Sequence, residues 1–167
     1  DDTLAAVPAG TVGEILVRGA NVMQGYLNQP EETAKTISPD GWLRTGDLGY
    51  LDQDGYVFVS GRIKELIIKG GENIAPREID EALLEHEAVL EAAAFAVPCE
   101  NYGERVEACI RLKEQVHASA SDLLAHCQTR LGKFKSPDTI HILEDLPKGP
   151  SGKVQRLKLF GLVYPAE

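Results

Sequence analysis

The sequence has no run approaching the ~20 consecutive apolar residues that a membrane-spanning helix needs. Its first residues, DDTLAAVPAG, lack the basic segment and apolar core of a secretory leader. The final residues, YPAE, do not form a peroxisomal SKL-type signal. We therefore expect a cytoplasmic protein without a membrane span.

Cysteine is scarce and odd in number, with Cys99, Cys109 and Cys127 as the three examples. They show neither C-x-x-C spacing nor histidines at zinc-finger intervals. This argues against a disulfide framework and against a structural zinc site. We expect reduced, mostly buried thiols.

Basic residues are also in deficit, since 17 Lys and Arg stand against 26 Asp and Glu, a net charge of -9. No stretch concentrates basic side chains as a phosphate-tracking surface requires, so we expect no nucleic-acid partner. The overall field opposes the approach of a polyanion such as ATP or CoA. A nucleotide site would therefore depend on individual basic groups.

The 167 residues, 43% hydrophobic and 26% charged, fit a globular chain of one domain or a domain with a small subdomain. Residues Gly13 to Arg18 alternate apolar and polar, which predicts a half-buried strand. Strand residues flank the turn Asp52 to Gly55, which predicts a hairpin. Between them, residues 28 to 47 are rich in turn formers and predict loops. Residues 1–61 are therefore interpreted as a small β subdomain.

After Gly61 the pattern changes, and residues 62–167 are interpreted as an α+β domain with the order ββαββαβα. The hinge between the two parts is expected at about residues 62–64. The expected elements are a strand at 65–69, a turn at Gly70-Gly71 that leads into the second strand, a helix from Pro76 that includes His86, strands at 91–97 and 106–112, a helix at 121–131 capped by Gly132, a strand at 139–143, a loop at 147–152 and a basic helix at 154–160.

Four clusters place glycine beside a charged residue, where the backbone can approach a ligand closely. Each has an ordinary alternative: an Asp capping its own turn, a solvated linker, a plain hairpin turn and a solubilising lysine, respectively. The clusters are Arg44-Thr45-Gly46-Asp47, Gly61-Arg62-Ile63-Lys64, Ile68-Lys69-Gly70-Gly71-Glu72-Asn73 and Pro147-Lys148-Gly149-Pro150-Ser151-Gly152-Lys153.

The last cluster is not a P-loop, because Pro147 replaces the first glycine and Val154 replaces the Ser or Thr. A calcium loop at Asp52 and Asp54 lacks its closing Glu, since Gly61 stands there. The four histidines share no spacing with a nucleophile. The sequence thus predicts neither a metal site nor a hydrolase triad.

Taken in order, the clusters resemble the last conserved regions of the adenylate-forming superfamily of acyl-CoA synthetases, luciferases and peptide-synthetase adenylation domains. The resemblance covers Gly13 to about Leu159 and is far more specific than any one motif. It rests on GEILVRGANVMQGYLNQPEETA, GWLRTGDLGYLDQDGYVFVSGRIKELIIKGGENIAPREID, VPCENYGE, LGKFKSP and LPKGPSGKVQR.

The resemblance implies a role for individual residues. Asp47 would hold the ribose hydroxyls of the nucleotide, with Arg62 near the ribose and phosphates and Lys64 as the hinge of a mobile lid. Lys153 would be the catalytic lysine of adenylation. The strand and turn formed by Lys69, Gly70, Gly71 and Glu72 would line the passage for the pantetheine arm of CoA.

The hinge sequence bears on the subclass, because peptide-synthetase adenylation domains resemble GRxDxQVKIRG there and this chain has GRIKELIIKGG. This favours an acyl-CoA synthetase, closest in appearance to synthetases of medium-chain, dicarboxylic or oxalate-type acids. The end of a peptide-synthetase adenylation domain and a free-standing regulatory or interaction module remain as alternatives. Ile68 departs from the lysine that luciferases have at that position.

The resemblance also implies partners. ATP, CoA and Mg2+ would be bound mainly by a large N-terminal domain, which the chain lacks, and the acid would be a small-molecule carboxylic acid. We expect the chain to be part of a longer enzyme and to be inactive alone. An open edge of the β subdomain adds the expectation of a dimer.

Overall fold

The computed structural model describes residues 5–165. Contacts divide the chain into two compact units, the first ending at Lys64 and the second beginning at Glu65. None of the helices in the described part is long and apolar enough to cross a membrane.

The first unit is built around a three-stranded antiparallel sheet in the order β1-β2-β3. Its elements are β1 (Gly13–Val17), α1 (Pro30–Thr36), β2 (Leu43–Leu51) and β3 (Val57–Arg62). The predicted hairpin is confirmed: the Asp52 carboxylate accepts hydrogen bonds from the backbone N–H groups of Asp54 and Tyr56, and Gly55 takes a positive φ of 85°.

The prediction that residues 28 to 47 are loops is wrong in two places. Helix α1 begins at Pro30, whose fixed φ suits the first turn, and continues through Glu31 and Glu32 to Lys35 near its end. No residue of α1 is buried, so the helix has no apolar stripe for a periodicity argument to find. Strand β2 begins at Leu43, so the Arg44–Asp47 cluster lies in a strand and not in a turn.

The second unit contains one five-stranded sheet and three helices in the part that the structure describes. Its order is β5-β4-β7-β6, with β8 parallel to β7 on the side away from β6. The elements are β4 (Ile67–Lys69), β5 (Glu72–Ile74), α2 (Pro76–Leu84), β6 (Val89–Cys99), β7 (Gly103–Leu112), α3 (Ala120–Lys135), β8 (Thr139–Ile142) and α4 (Leu159–Val163), with 3₁₀ turns at Ile63–Glu65, where the units divide, and Arg156–Lys158.

Both faces of this sheet are buried, which follows from the alternation of side chains along β6. Ala94 points into a core with α2 and α3, whereas Ala93 and Phe95 point into a second cluster with Leu146 and Leu159. Leu159 lies at the start of α4, so the second cluster fastens the C-terminal segment to the sheet.

The predicted ββαββαβα order and the α+β class are confirmed. Several boundaries differ. Helix α2 ends at Leu84 and leaves His86 outside it, β6 runs through Pro98, and β7 begins at Gly103. The last helix begins at Leu159, because residues Arg156–Lys158 form a 3₁₀ turn. The predicted cap at Gly132 is wrong: its φ of 73° and ψ of 169° make a kink, and α3 continues to Lys135 with Ser136 as its C-cap.

The thiols agree with the sequence analysis. Cys109 and Cys127 are buried, Cys99 is partly exposed, and all three are free. Burial raises the pKa of Cys109 and of Cys127 to about 11, so both stay protonated near neutral pH.

Candidate functional site

Asp47 and Arg62 lie opposite one another on β2 and β3 of the first unit. The Arg62 Nε atom is 2.8 Å from Asp47 Oδ1. The two side chains are 31% and 59% exposed, so the pair is open to solvent. A carboxylate held in this way can accept further hydrogen bonds from a ligand's hydroxyl groups.

The backbone around Asp47 is fixed by its neighbours. Gly46 has a φ of 71°, a conformation that a residue with a side chain rarely adopts. The Thr45 hydroxyl donates to the Ile15 carbonyl at 2.7 Å and accepts from the Asp47 N–H at 3.0 Å. Glu14 accepts from the Gly46 N–H at 3.1 Å. These bonds set the direction of the Asp47 side chain.

Lys64 lies in the 3₁₀ turn Ile63–Glu65, the last residue of the first unit, and is exposed. This is where the sequence placed the hinge, and the hinge itself stays a prediction.

Lys69, at the end of β4, is buried and not exposed to a passing ligand. Its Nζ atom lies 3.5 Å from Asp138 Oδ2 and above the rings of Tyr102 and Phe134, at 6.0 and 5.4 Å from their centres. An ammonium over two aromatic faces and beside a carboxylate is stabilised by cation–π attraction and by charge.

Gly70 and Gly71 form the turn from β4 to β5, with φ of 59° and 84°. The Gly70 N–H donates to the Tyr102 carbonyl at 2.8 Å, and a Cβ at Gly70 would lie 3.3 Å from the Tyr102 ring. The two glycines and Glu72 are exposed. The turn therefore exposes its backbone to solvent. The contacts of Lys69 help to fix the end of β4, from which the turn begins.

Lys153 lies in a short hairpin, residues 148–154, which we call the Lys153 hairpin. Lys148 and Val154 pair across it, and the Gly149 N–H donates to the Lys153 carbonyl at 2.9 Å. The Gly152 N–H donates to the Gly149 carbonyl at 2.9 Å. The segment predicted as a loop is therefore closed on itself, with the exposed Lys153 side chain on it.

An exposed ion pair holds the first strand of this hairpin. Lys148 Nζ is 2.8 Å from Glu91 Oε1 on β6 and 3.3 Å from Asp145 Oδ1. Arg111 also reaches Glu91, at 3.2 Å. The hydrogen bond from Lys148 lowers the pKa of Glu91.

A largely buried arginine, which the sequence analysis missed, follows the hairpin. Arg156 Nη2 is 2.7 Å from Asp80 Oδ2 of α2, its Nη1 donates to the Ala94 carbonyl of β6, and its Nε is 2.9 Å from Glu65 Oε2. Its side chain is 14% exposed. The signal available in the sequence was Asp80, a charged residue on the buried face of α2 beside Ile79 and Leu83, which requires a partner.

The net effect of burial and bonding on the pKa differs between Arg156 and Asp80. Burial opposes the charge of Arg156, but hydrogen bonds and charges from Asp80 and Glu65 outweigh it and raise the pKa of Arg156. Burial raises the pKa of Asp80 despite the opposing bonds from Arg156 and from the Ala94 N–H. The bonds from Asp80 and Glu65 thus favour the charged guanidinium, whereas burial disfavours the charged carboxylate of Asp80.

The structure brings Asp47 to Arg62 in the first unit. The turn at Gly70 and the Lys153 hairpin both belong to the second unit, but the turn contacts Tyr102 beyond the end of β6, whereas the hairpin contacts Glu91 near the start of that strand. Within residues 5–165 no group of three or more His, Cys, Asp or Glu side chains is placed to hold a metal ion.

Comparison with known proteins gives a consistent result. Residues 78–153 match the family described as the AMP-binding enzyme C-terminal domain. The chain is 57% identical over 152 residues to a sulfoacetate–CoA ligase of Cupriavidus necator, a match that covers 91% of this chain and 30% of that protein.

Solved structures agree. ATP-bound MatB of Rhodopseudomonas palustris superposes with a TM-score of 0.89 at 36% identity, covering 95% of this chain and 32% of that one. The o-succinylbenzoate CoA synthetase MenE of Bacillus subtilis, in complex with an acyl-adenylate intermediate, gives 0.84 at 38% identity, with 96% and 32% covered. The chain thus spans about 30% of the length of the relatives that it matches.

Proposed function

We propose that this chain, which matches the C-terminal part of an acyl-CoA synthetase in sequence and in fold, is the C-terminal part of an ATP-dependent carboxylic acid:CoA ligase. The ligase forms an acyl-adenylate and then an acyl-CoA thioester. The observation that carries the proposal is the exposed Lys153 on an ordered hairpin, in the motif that the family resemblance assigns to adenylation.

Lys153 is the catalytic residue of adenylation in this proposal. A carboxylate that attacks an anionic α-phosphate brings two negative charges together, and an ammonium between them offsets the repulsion. At ~4 Å and an intermediate dielectric such a charge is worth roughly 4 kcal/mol. The exposed position of Lys153 suits a charge that must be delivered to substrates held elsewhere.

Asp47 binds the ribose hydroxyls, and Arg62 orients its carboxylate. Support comes from the 2.8 Å pair between them and from the partial exposure of both side chains. A carboxylate has two oxygens with several acceptor positions, so one that pairs with Arg62 keeps the capacity to accept hydrogen bonds from two adjacent hydroxyls.

The turn at Gly70 and Gly71 lines the CoA passage, with Lys69 and Glu72 on either side. Support comes from the exposed glycines, since bare backbone leaves room for a thin ligand. Lys69 acts through the shape of the turn, because its ammonium is engaged by Asp138, Tyr102 and Phe134. A hinge at Lys64, within residues 62–64, lets the part of the chain that follows it present different faces in the two half-reactions.

Mg2+ and most of ATP are bound by an N-terminal domain in this proposal, as the family resemblance implies. An apolar groove of about 520 Å³ in the first unit offers a surface against which such a domain can pack. Its lining includes Val7, Ile15, Leu16, Trp42 and Tyr50. A second copy of the chain is the other occupant of such a surface, and sedimentation of the chain distinguishes a dimer from a monomer.

The acid substrate is proposed to be a small carboxylic acid. Support comes from the 57% identical relative, which is named for sulfoacetate.

The test uses the parent ligase, meaning this chain together with the proposed N-terminal domain. Lys153→Ala is compared with Lys113→Ala, which removes another exposed lysine. We expect Lys153→Ala to lower pyrophosphate exchange by about 10²–10³-fold and Lys113→Ala to leave it unchanged. Equal rates in both variants would favour the regulatory module. The chain alone is expected to show no exchange with any acid.

A further inference from the structure

Arg156 joins three separate elements of the second unit immediately after the Lys153 hairpin. Its guanidinium bonds Glu65 at the start of the unit, Asp80 on α2 and the Ala94 carbonyl on β6. Asp80 is itself fixed, because it accepts from the Ala94 N–H at 2.6 Å. The side chain of Arg156 therefore occupies one well-defined position between Glu65, Asp80 and Ala94, which we call the Arg156 seat.

The hairpin runs directly into that seat. Val154 closes the hairpin opposite Lys148 and packs against the cluster that contains Phe95. The next residue, Gln155, donates its N–H to the Pro147 carbonyl at 2.7 Å. Arg156 follows, so one residue separates the buried guanidinium's backbone from the end of the hairpin.

The two ends of the hairpin are held unequally. The Lys148–Glu91 pair has side chains 30% and 24% exposed, and solvent-screened pairs of this kind constrain little. The Arg156 seat is buried, with side chains of 14% and 12% exposure for Arg156 and Asp80. The second end is therefore the firmer one.

We propose that Arg156 is a positioning residue for Lys153, holding the base of the Lys153 hairpin so that the ammonium keeps a fixed place relative to α2 and β6. The inference rests on the proposed role of Lys153. Because Glu65 directly follows Lys64, the same guanidinium also connects the hairpin to the first residue after the proposed hinge.

Geometry, and not charge alone, makes arginine necessary. The planar guanidinium directs its N–H groups to Glu65, Asp80 and Ala94 at once. A lysine ammonium preserves the charge opposite Asp80 but is a single point that cannot span the three partners. Arg156→Lys therefore separates positioning from charge neutralisation.

The first measurement is amide hydrogen exchange on the chain itself. The probes are the hairpin-bound N–H groups of Gly149, Gly152 and Gln155, and the reference is the central β6–β7 ladder. We expect Arg156→Lys to raise the ratio of hairpin to ladder exchange by about tenfold, because local opening becomes easier than global opening. An unchanged ratio would overturn the inference.

Tyr164→Phe is the matched control. The Tyr164 hydroxyl donates to the buried Glu107 carboxylate at 3.0 Å, further along the same C-terminal segment and away from the Arg156 seat. We expect this variant to lose stability while its exchange ratio stays within about twofold of the original. If it loosens the hairpin as much as Arg156→Lys does, the effect is general and the inference fails.

Glu65→Gln provides a milder variant in case Arg156→Lys does not fold. It removes one charged partner at the more exposed edge of the seat, where Glu65 is 28% exposed. We expect the exchange ratio to rise by about two- to threefold, because the bonds to Asp80 and Ala94 remain. No rise would count against the inference.

The second measurement is adenylation by the parent ligase. We expect Arg156→Lys to lower kcat by about tenfold with little change in the KM for ATP, since a misplaced ammonium affects the transition state more than binding. Tyr164→Phe should leave kcat unchanged. Should Lys153→Ala leave adenylation intact, the proposed function fails. A strong Lys153→Ala effect with a normal kcat for Arg156→Lys would overturn only the role of Arg156.

Discussion

Two of the Asp–Arg pairs among residues 5–165, Asp47–Arg62 and Asp80–Arg156, differ in almost everything except chemistry. Asp47 and Arg62 sit on adjacent strands with side chains 31% and 59% exposed. Asp80 is buried and Arg156 is largely buried, and both also bond the backbone of Ala94. The carboxylate of the first pair is accessible to solvent. In the second pair, both side chains are engaged by hydrogen bonds to each other and to the backbone of Ala94.

The difference teaches what each pair can do. A pair that must accept a ligand needs partial exposure, and therefore contributes little to stability. A buried pair gives little net stability over an apolar replacement, but removing one partner leaves an uncompensated charge. Binding and anchoring thus call for opposite degrees of burial of the same two side chains.

The largest expected effect comes from removing the arginine of each pair in the isolated chain. Arg156→Met should lower the free energy of unfolding of the second unit by about 3–5 kcal/mol, because Asp80 is left buried without its cation. Arg62→Met should lower that of the first unit by only about 0–1 kcal/mol. The comparison breaks down if the two losses are equal.

Urea denaturation separates the two units. Trp42, the single tryptophan, lies in the first unit, so its fluorescence follows the Arg62 variant. Amide exchange in the β6–β7 ladder follows the second unit. Each signal also serves as the control for the other variant, which should leave it unchanged.

An intermediate effect is expected for nucleotide use by the parent ligase. Asp47→Asn should raise the KM for ATP by about 10–100-fold, because hydrogen bonds from a ligand to a charged acceptor are worth about 1.5–3 kcal/mol. Asp80→Asn should destabilise the second unit and leave that KM near its original value. An unchanged KM in Asp47→Asn would contradict the assignment of the ribose site.

The exposed pair was accessible to sequence reasoning and the buried pair was not. Asp47 and Arg62 lie in glycine-containing motifs whose order resembles a known family, so both were identified without knowing that they touch. Arg156 meets Glu65, Asp80 and Ala94 at separations of 91, 76 and 62 residues along the chain. No local pattern encodes contacts at such separations, and Arg156 was assigned only to a basic helix.

The secondary-structure elements also differ in how far the sequence could predict them. Strands β6 and β7 and helix α2 were predicted because burial imposes a periodic pattern on their residues. Helix α1 was missed because it buries no residue and shows no such pattern. The closed backbone of the Lys153 hairpin was read as a loop, since two prolines and two glycines specify turns without specifying their partners.

The smallest expected effect concerns the exposed anchor of the Lys153 hairpin. Because Lys148 lowers the pKa of Glu91 below its ordinary value of 4.5, the folded state binds a proton there less tightly than the unfolded state. Its contribution to stability is therefore present above pH 4.5 and lost as the pH falls through the lowered value. Glu91→Gln should lower the free energy of unfolding by at most about 1 kcal/mol at pH 7, and by less at pH 3.

Urea titrations at the two pH values, with Glu144→Gln as an exposed control, measure this difference. A loss as large as that in Arg156→Met would mean that the exposed end of the hairpin is as firmly held as the buried one. The contrast between the two anchors would then disappear, and with it the reason for assigning the position of Lys153 to Arg156.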